Sequence, residues 1–248
     1  MPRLISHHLF AFAIASLFSA CAGTPANHAD SRAIVDLAAL KLPQVAGEYV
    51  TSREGSEQEP EHDHHEQAAE PVSWRFWRDN QSITIERPQL AMGEHWQRDG
   101  RTIIHRKLYH GDRRAIEFQD DDLRMLETTP SWQKLALLID PSLLEKLRAG
   151  ELEWHDAYPS RDYQGEVEGT QWLVVMRMDL GLPVLIERKK GDFAERTELL
   201  QAHTLESAPW QPTPDTGYDV IDFADLGDKE YDPFVIKVQA QMGHAHQH

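Results

Sequence analysis

Two histidine-rich clusters carry the side chains best suited to chemistry, which here would be metal binding. The clusters comprise His62, His64, His65, His244, His246 and His248. Neutral imidazole is the commonest protein ligand for Zn, Cu and Ni, and the acids beside the first cluster would add charge and support. Because no scaffold fixes this spacing, the pattern predicts open, labile sites that capture or buffer divalent cations. The alternative is two solvated polar tracts in which histidine has accumulated.

No residue pattern indicates catalysis. The sequence has neither the Gly-x-Ser-x-Gly motif of a nucleophilic serine nor a glycine-rich phosphate loop. Carboxylate pairs such as Glu151 and Glu153 are expected by chance in a chain with 41 acidic residues. We therefore expect a protein that is not an enzyme, with hydrolase activity as the remaining alternative. The only cofactors that we expect are Zn, Cu or Ni at the two histidine clusters.

The N-terminal residues have the layout of an export signal. A basic start is followed by an apolar stretch over 9–18 and by small residues. The stretch is too short to cross a bilayer, which takes about 20 residues, so the pattern predicts a cleaved signal peptide over 1–20.

The single cysteine follows that signal directly. The sequence Phe-Ser-Ala-Cys over 18–21 resembles the bacterial lipobox, whose cysteine becomes the acylated N-terminus of a lipoprotein. The resemblance implies lipidation at Cys21, fatty acyl chains such as palmitate, and a tether over 21–29. Ala22 then indicates the periplasmic face of the outer membrane in a Gram-negative bacterium. The alternative is a plain cleaved signal in which Cys21 is incidental.

The charge balance limits the class of partner. A formal net charge of −16, from 25 basic and 41 acidic residues, repels a polyanion, and no basic stripe offsets it. Nucleic acid is therefore excluded as an expected partner, whereas divalent cations are favoured.

Hydrophobic periodicity and turn residues predict an α+β, mostly β domain. The predicted strands are 45–53, 72–78, 82–87, 94–98, 101–110, 113–118, 163–167, 171–179, 182–189 and 195–203. The predicted helices are 30–40, 131–139, 142–148 with Gly150 as its end, and one from Asp232-Pro233 towards Met242. Capping residues before prolines mark the helix starts, and three prolines make 208–218 an extended strap.

The stretch 172–187 (WLVVMRMDLGLPVLIE) resembles paired strands of the periplasmic lipoprotein-carrier superfamily that contains LolA, LolB and RseB. The resemblance implies one domain over 30–248, built on a curved antiparallel half-barrel with short central helices on its concave side. An acidic, His-rich insertion over 54–70 and the strap and helix over 208–248 have no counterpart in that family.

The same resemblance implies an apolar cavity that binds a lipid or an envelope protein. The candidate lining residues are Trp74, Phe76, Ile83, Ile85, Ile104, Leu108, Trp172, Val174 and Val184. The alternative, which we favour for most of these residues, is a closed core, because large apolar side chains on strands usually pack.

Overall fold

Short segments of alternating apolar and polar residues form strands in the computed structural model, which describes residues 34–39, 41–55, 69–155 and 158–245. The described residues all belong to one compact unit, Arg32–His248. Their strands are β1 (Val45–Glu54), β2 (Ala69–Arg78), β3 (Ser82–Arg87), β4 (Met92–Asp99), β5 (Thr102–Tyr109), β6 (Arg114–Phe118), β7 (Arg148–His155), β8 (Tyr158–Val167), β9 (Thr170–Arg177), β10 (Leu182–Lys190), β11 (Phe193–His203) and β12 (Asp219–Asp222). Their helices are α1 (Asp120–Met125), α2 (Trp132–Leu137), α3 (Pro141–Lys146) and α4 (Pro233–Ala245), with 3₁₀ segments at Pro88–Leu90 and Phe223–Lys229.

All of these strands lie in one open sheet. The order across the described part of the chain is β12-β6-β5-β4-β3-β2-β1-β11-β10-β9-β8-β7, so β12 and β7 are its edges and it does not close into a barrel. Neighbours pair antiparallel except β12, which runs parallel to β6. The predicted mostly β fold with few short helices is confirmed.

The sheet buries one face under the helices. Tyr49, Phe76, Ile83, Val174 and Met176 are fully buried in a core that also contains apolar residues of α1, α2, α3 and α4. Successive residues of a strand point to opposite faces, which explains the alternating sequence pattern. We call this covered side the helix face and the opposite side the outer face.

The strap, residues 208–218, crosses the outer face from β11 to β12 and contains neither helix nor strand, as predicted. Its Trp210 packs with Ala46 and Trp77 in a second, smaller apolar cluster. The Trp210 and Trp77 rings meet edge to face at 5.9 Å between centroids. The strap therefore covers part of the outer face, opposite the helices.

Side-chain caps start the central helices where the sequence predicts them. Ser131 Oγ accepts a hydrogen bond from Lys134 N at 3.1 Å at the start of α2. Asp140 Oδ1 accepts one from Ser142 N at 2.9 Å at the start of α3, directly before Pro141. These bonds satisfy amides that have no partner within the first turn of a helix.

The helix predicted over 30–40 is wrong for its described part, 34–39, which forms a turn. Val35 N donates to Met178 O at 2.8 Å, and Asp36 Oδ1 accepts from Ala38 N at 2.9 Å. A side chain that accepts a hydrogen bond from the nearby backbone stabilises a turn in place of a helix. Here the turn is also favoured because the backbone amide of Val35 bonds to the sheet at Met178.

Contrary to the prediction, Gly150 does not end a helix but lies within β7. A β-carbon at this position would collide with the carboxylate of Asp162, where β7 has a register shift against β8. β7 itself and β12 were not predicted, because β7 follows α3 almost without a turn and β12 is only four residues long.

Candidate functional site

A groove opens on the helix face between the connection of α2 to α3 and the middle of the sheet. Its volume is about 260 Å³. Strands β1, β2, β9, β10 and β11 form the sheet side of the groove. It is lined by Tyr49, Trp74, Leu138, Ile139, Trp172, Pro183, Ile186, Arg188, Glu195 and Thr197.

Aromatic rings form its floor. Trp74 stacks on Tyr49 with 4.4 Å between ring centroids and 10° between planes. The polar atoms of both rings have partners: Trp74 Nε1 donates to Thr51 Oγ1 at 3.0 Å, and Tyr49 Oη donates to Pro183 O at 3.2 Å. Burial raises the pKa of Tyr49, so its phenol remains protonated and neutral. Trp74 is half-buried and Tyr49 is fully buried, so Trp74 offers the groove its apolar surface and neither ring leaves a polar atom unsatisfied.

An ion-paired cluster forms the charged side of the groove. Glu195 accepts from Arg53 Nε at 2.5 Å and from Arg188 Nε at 2.9 Å. Burial acts to raise the pKa of Glu195, but the hydrogen bonds and charges of Arg188 and Arg53 lower it below its ordinary value. The carboxylate is therefore ionised and engaged at neutral pH, which makes it unsuited to act as a general acid.

The groove continues into a more polar hollow of about 280 Å³. The two share Trp74, Glu195 and Thr197, and Thr51 and Arg87 belong to the hollow. Together they reach the size range of ligand pockets, roughly 300–1,000 Å³. An apolar ligand in the groove could thus extend a polar end towards the hollow.

One buried arginine supports the helical wall of the groove. Arg78 is 1% exposed and donates to four backbone carbonyls. These are the oxygens of Pro43, at 3.1 and 3.0 Å, of Leu180 at 2.5 Å, of Gly181 at 3.2 Å and of Ala136. The guanidinium thereby ties α2 to the turn between β9 and β10, next to the groove residue Pro183.

The nine predicted cavity residues lie in different environments in the structure. Trp74 and Trp172 line the groove, and Ile85 packs at the edge of the main core. Phe76, Ile83 and Val174 are 0% exposed inside that closed core.

The other three predicted cavity residues lie elsewhere. Ile104 and Leu108 alternate along β5 with Ile103 and Tyr109 of the main core, so they lie on the outer face. Val184 lies at the register shift of β10, beside Pro183.

Sequence reasoning missed the β1 and β11 side of the groove. Thr51 and Thr197 share a hydrogen bond at 2.8 Å across 146 residues of sequence. Thr51 lies two residues before Arg53 in β1, and Thr197 lies two residues after Glu195 in β11. Residues two apart in a strand point to the same face, so each pair shares one face of its strand. The register that joins the two strands could not be predicted from local pattern.

The two histidine clusters lie outside the described part of the structure, so metal binding there stays a prediction. His62, His64, His65, His246 and His248 belong to undescribed residues, and only the backbone of His244 is described, in α4. Among the described residues, no group of three or more His, Cys, Asp or Glu side chains is placed to hold a metal ion.

The predicted signal peptide, Cys21 and the tether also lie outside the described residues. Within the described ranges, no helix combines the length and the apolar character needed to cross a membrane.

No protein-family model and no curated protein matches the chain. Solved structures resemble it distantly. One is an uncharacterized conserved protein from Thermus thermophilus, at 9% identity and a TM-score of 0.40, covering 74% of this chain and 92% of that one. PNGF-II matches at 9% identity and a TM-score of 0.38 over 76% of this chain, which is 33% of its own length. MucB matches at 16% identity and a TM-score of 0.33, over 70% of this chain and 56% of that one. At such low identities and TM-scores, none of the three assigns the chain to a family.

Proposed function

We propose that this chain is a non-enzymatic binding protein whose helix-face groove takes an apolar ligand. The ligand is a lipid acyl chain or an apolar segment presented by an envelope protein. The observation that carries the proposal is the half-buried Trp74 ring, backed by the fully buried Tyr49, with the polar atoms of both rings already bonded. Such a floor binds by removing apolar surface from water, and each buried methylene contributes about 0.8 kcal/mol.

The paired charges beside the floor favour binding over catalysis. Glu195 is held by two arginines, so its carboxylate is ionised and already engaged near neutral pH, which does not suit a general acid. The resemblance of 172–187 to the LolA, LolB and RseB superfamily agrees with a role in carrying or sensing apolar ligands.

The proposal places the protein at the periplasmic face of the outer membrane, anchored through an acylated Cys21. The support is the signal-like sequence over 1–20 and the lipobox-like 18–21. Replacing Cys21 by serine should release the protein from washed membranes. Retention of the variant would contradict the anchor without bearing on the groove.

Dodecanoate is a suitable probe for the groove, with tryptophan fluorescence and calorimetry as readouts. We expect Ile186→Asp, which puts a charge on the groove wall, to weaken dodecanoate binding by more than about tenfold. The matched control is Leu200→Asp, the same kind of change on β11 at a side chain that is 57% exposed and outside the groove.

Native mass spectrometry of protein taken from its own envelope identifies the natural ligand. Bound lipid that Ile186→Asp removes and Leu200→Asp retains supports the proposal. Equal binding by both variants, or no dodecanoate binding by the unchanged chain, would overturn it.

A further inference from the structure

A second cleft lies on the outer face, between the β2–β3 turn, β4 and the segment that leads into the strap. Its volume is about 650 Å³, larger than that of the helix-face groove. Four side-chain amides converge on it, from Gln44, Asn80, Gln81 and Gln97. We call it the polar cleft, because hydrogen-bonding side chains make up nearly all of its lining.

The four amides are available to a ligand. Within the described residues, none of them hydrogen bonds to another protein group, although each carries two donors and an acceptor. Four exposed glutamine and asparagine side chains that share one cleft can bond to the same molecule. The cleft therefore offers donors and acceptors together.

The turn that presents two of these amides is rigid. Asp79 Oδ1 accepts from the backbone amides of Gln81 at 2.7 Å and Ser82 at 2.6 Å, and Asp79 Oδ2 accepts from Ser82 Oγ at 2.7 Å. Burial acts to raise the pKa of Asp79, but these hydrogen bonds lower it below its usual value. The backbone of Arg98 also donates to Gln81 O at 2.8 Å. A fixed turn lowers the entropy cost of binding.

The electrostatics of the polar cleft disfavour charged and apolar ligands. His95 is held by Thr84 Oγ1, 3.0 Å from its Nδ1, and burial lowers the pKa of this imidazole, which keeps it neutral at pH 7. The charges of Asp215 and Asp79 act on His95 against that of Arg106, so the surroundings of the imidazole contain both signs of charge and favour neither an anion nor a cation. Asp79 uses both carboxylate oxygens within the turn, which leaves no ready ligand set for a cation.

We propose that the polar cleft binds a neutral, hydroxyl-rich carbohydrate. A sugar hydroxyl donates and accepts at once and therefore matches a side-chain amide, which does the same. A glycan satisfies several amides together without bringing charge to Asp79 or apolar surface to a polar lining. This site is separate from the helix-face groove and lies on the opposite face of the sheet.

The test uses the full-length chain and three neutral oligosaccharides, built from glucose, from mannose and from N-acetylglucosamine. NMR follows the side-chain amide signals of Gln44, Asn80, Gln81 and Gln97 during titration. We expect at least one sugar to shift these signals, with the N-acetylated and plain sugars distinguishing the glycan class. Oligoglycine and inorganic phosphate serve as comparison probes.

The double change Gln81→Ala and Gln97→Ala should weaken sugar binding by about tenfold, since it removes two hydrogen-bonding groups. Gln164→Ala, on an exposed glutamine of β8 outside the cleft, is the matched control and should leave the affinity unchanged. The proposal is overturned if no sugar shifts the amides, if the double variant binds as well as the control, or if oligoglycine or phosphate binds as tightly.

Discussion

Arg78 is a buried cation held by backbone carbonyls, and the described residues offer it no carboxylate partner. Burial lowers the pKa of its guanidinium to about 10, which still leaves it charged at neutral pH. Only the planar fork of arginine donates to so many oxygens at once, so lysine is no substitute. The residue links three chain segments, which are the residues before β1, helix α2 and the turn between β9 and β10.

Replacing Arg78 by methionine should lower the free energy of unfolding by about 3 kcal/mol, because several buried carbonyls lose their donor together. Urea unfolding measures this change. Arg101→Met, at an exposed turn position, should shift stability by less than about 0.5 kcal/mol. Equal effects of the two substitutions would show that the carbonyl contacts do not stabilise the fold.

Protonation of the buried His105 links low pH to unfolding. The histidine ring stacks on Trp96 with 3.6 Å between ring centroids, and its Nε2 lies 3.7 Å from Glu94 Oε2. Burial lowers the pKa of His105 to about 4. The unfolded chain takes up a proton on this imidazole near pH 6.5, as unperturbed histidine does, but the folded chain does so only near pH 4. Falling pH between these values therefore favours unfolding.

Through His105, the unchanged chain should lose about 3 kcal/mol of unfolding free energy between pH 7 and pH 4. We expect His105→Phe, which keeps the ring stack, to abolish this loss. Thermal unfolding across this pH range measures the difference. His155→Phe, where the side chain is 57% exposed, should keep the pH dependence of the unchanged chain. The same pH slope in both variants would exclude His105 as the source.

At the scale of elements, the strap is attached by polar contacts of buried side chains. Glu86, 4% exposed, accepts from Thr213 N at 2.6 Å and from Thr213 Oγ1 at 3.2 Å. His110 Nδ1 lies 3.0 Å from Tyr218 Oη, and its ring sits directly over Gly93. A side chain at Gly93 would displace this histidine, so the glycine keeps the end of the strap in place.

Replacing Glu86 by alanine should free the strap, because it leaves Thr213 without an acceptor. We expect faster hydrogen exchange over 210–218 and a loss of about 2 kcal/mol in stability. Glu206→Ala, an exposed acid just before the strap, is the control and should change neither. Unaltered exchange in the Glu86 variant would show that Trp210 alone fixes the strap.

The elements themselves were largely predictable, and the reason is local chemistry. Asp140 followed by Pro141 predicts a helix start because both residues act within one turn, and α3 begins there. The turn at 34–39 was mispredicted because its conformation depends on Met178, far along the chain. Local pattern predicts an element when its own residues decide it.

At the scale of the whole molecule, local sequence pattern also could not predict contacts between strands that are far apart in sequence, and this explains which part of the site was predicted. Trp74 and Trp172 were assigned to a cavity through the resemblance to the carrier superfamily, and both line the groove. Tyr49, Glu195 and Thr197 were not, since their meeting depends on pairing between β1 and β11. Register between strands so distant in sequence is set by global packing.

The pairing of β1 with β11 also has a consequence for the order of assembly. Strands β1 to β6 pair in chain order, as do β7 to β11, so each half of the sheet can form from strands that are close in sequence. By contrast, β1 pairs with β11 only after a long loop closes. The helix-face groove lies across that seam, with Trp74 on one half and Trp172 on the other. Neither half contains the groove alone, so binding of the proposed ligand there would report that the two halves have joined.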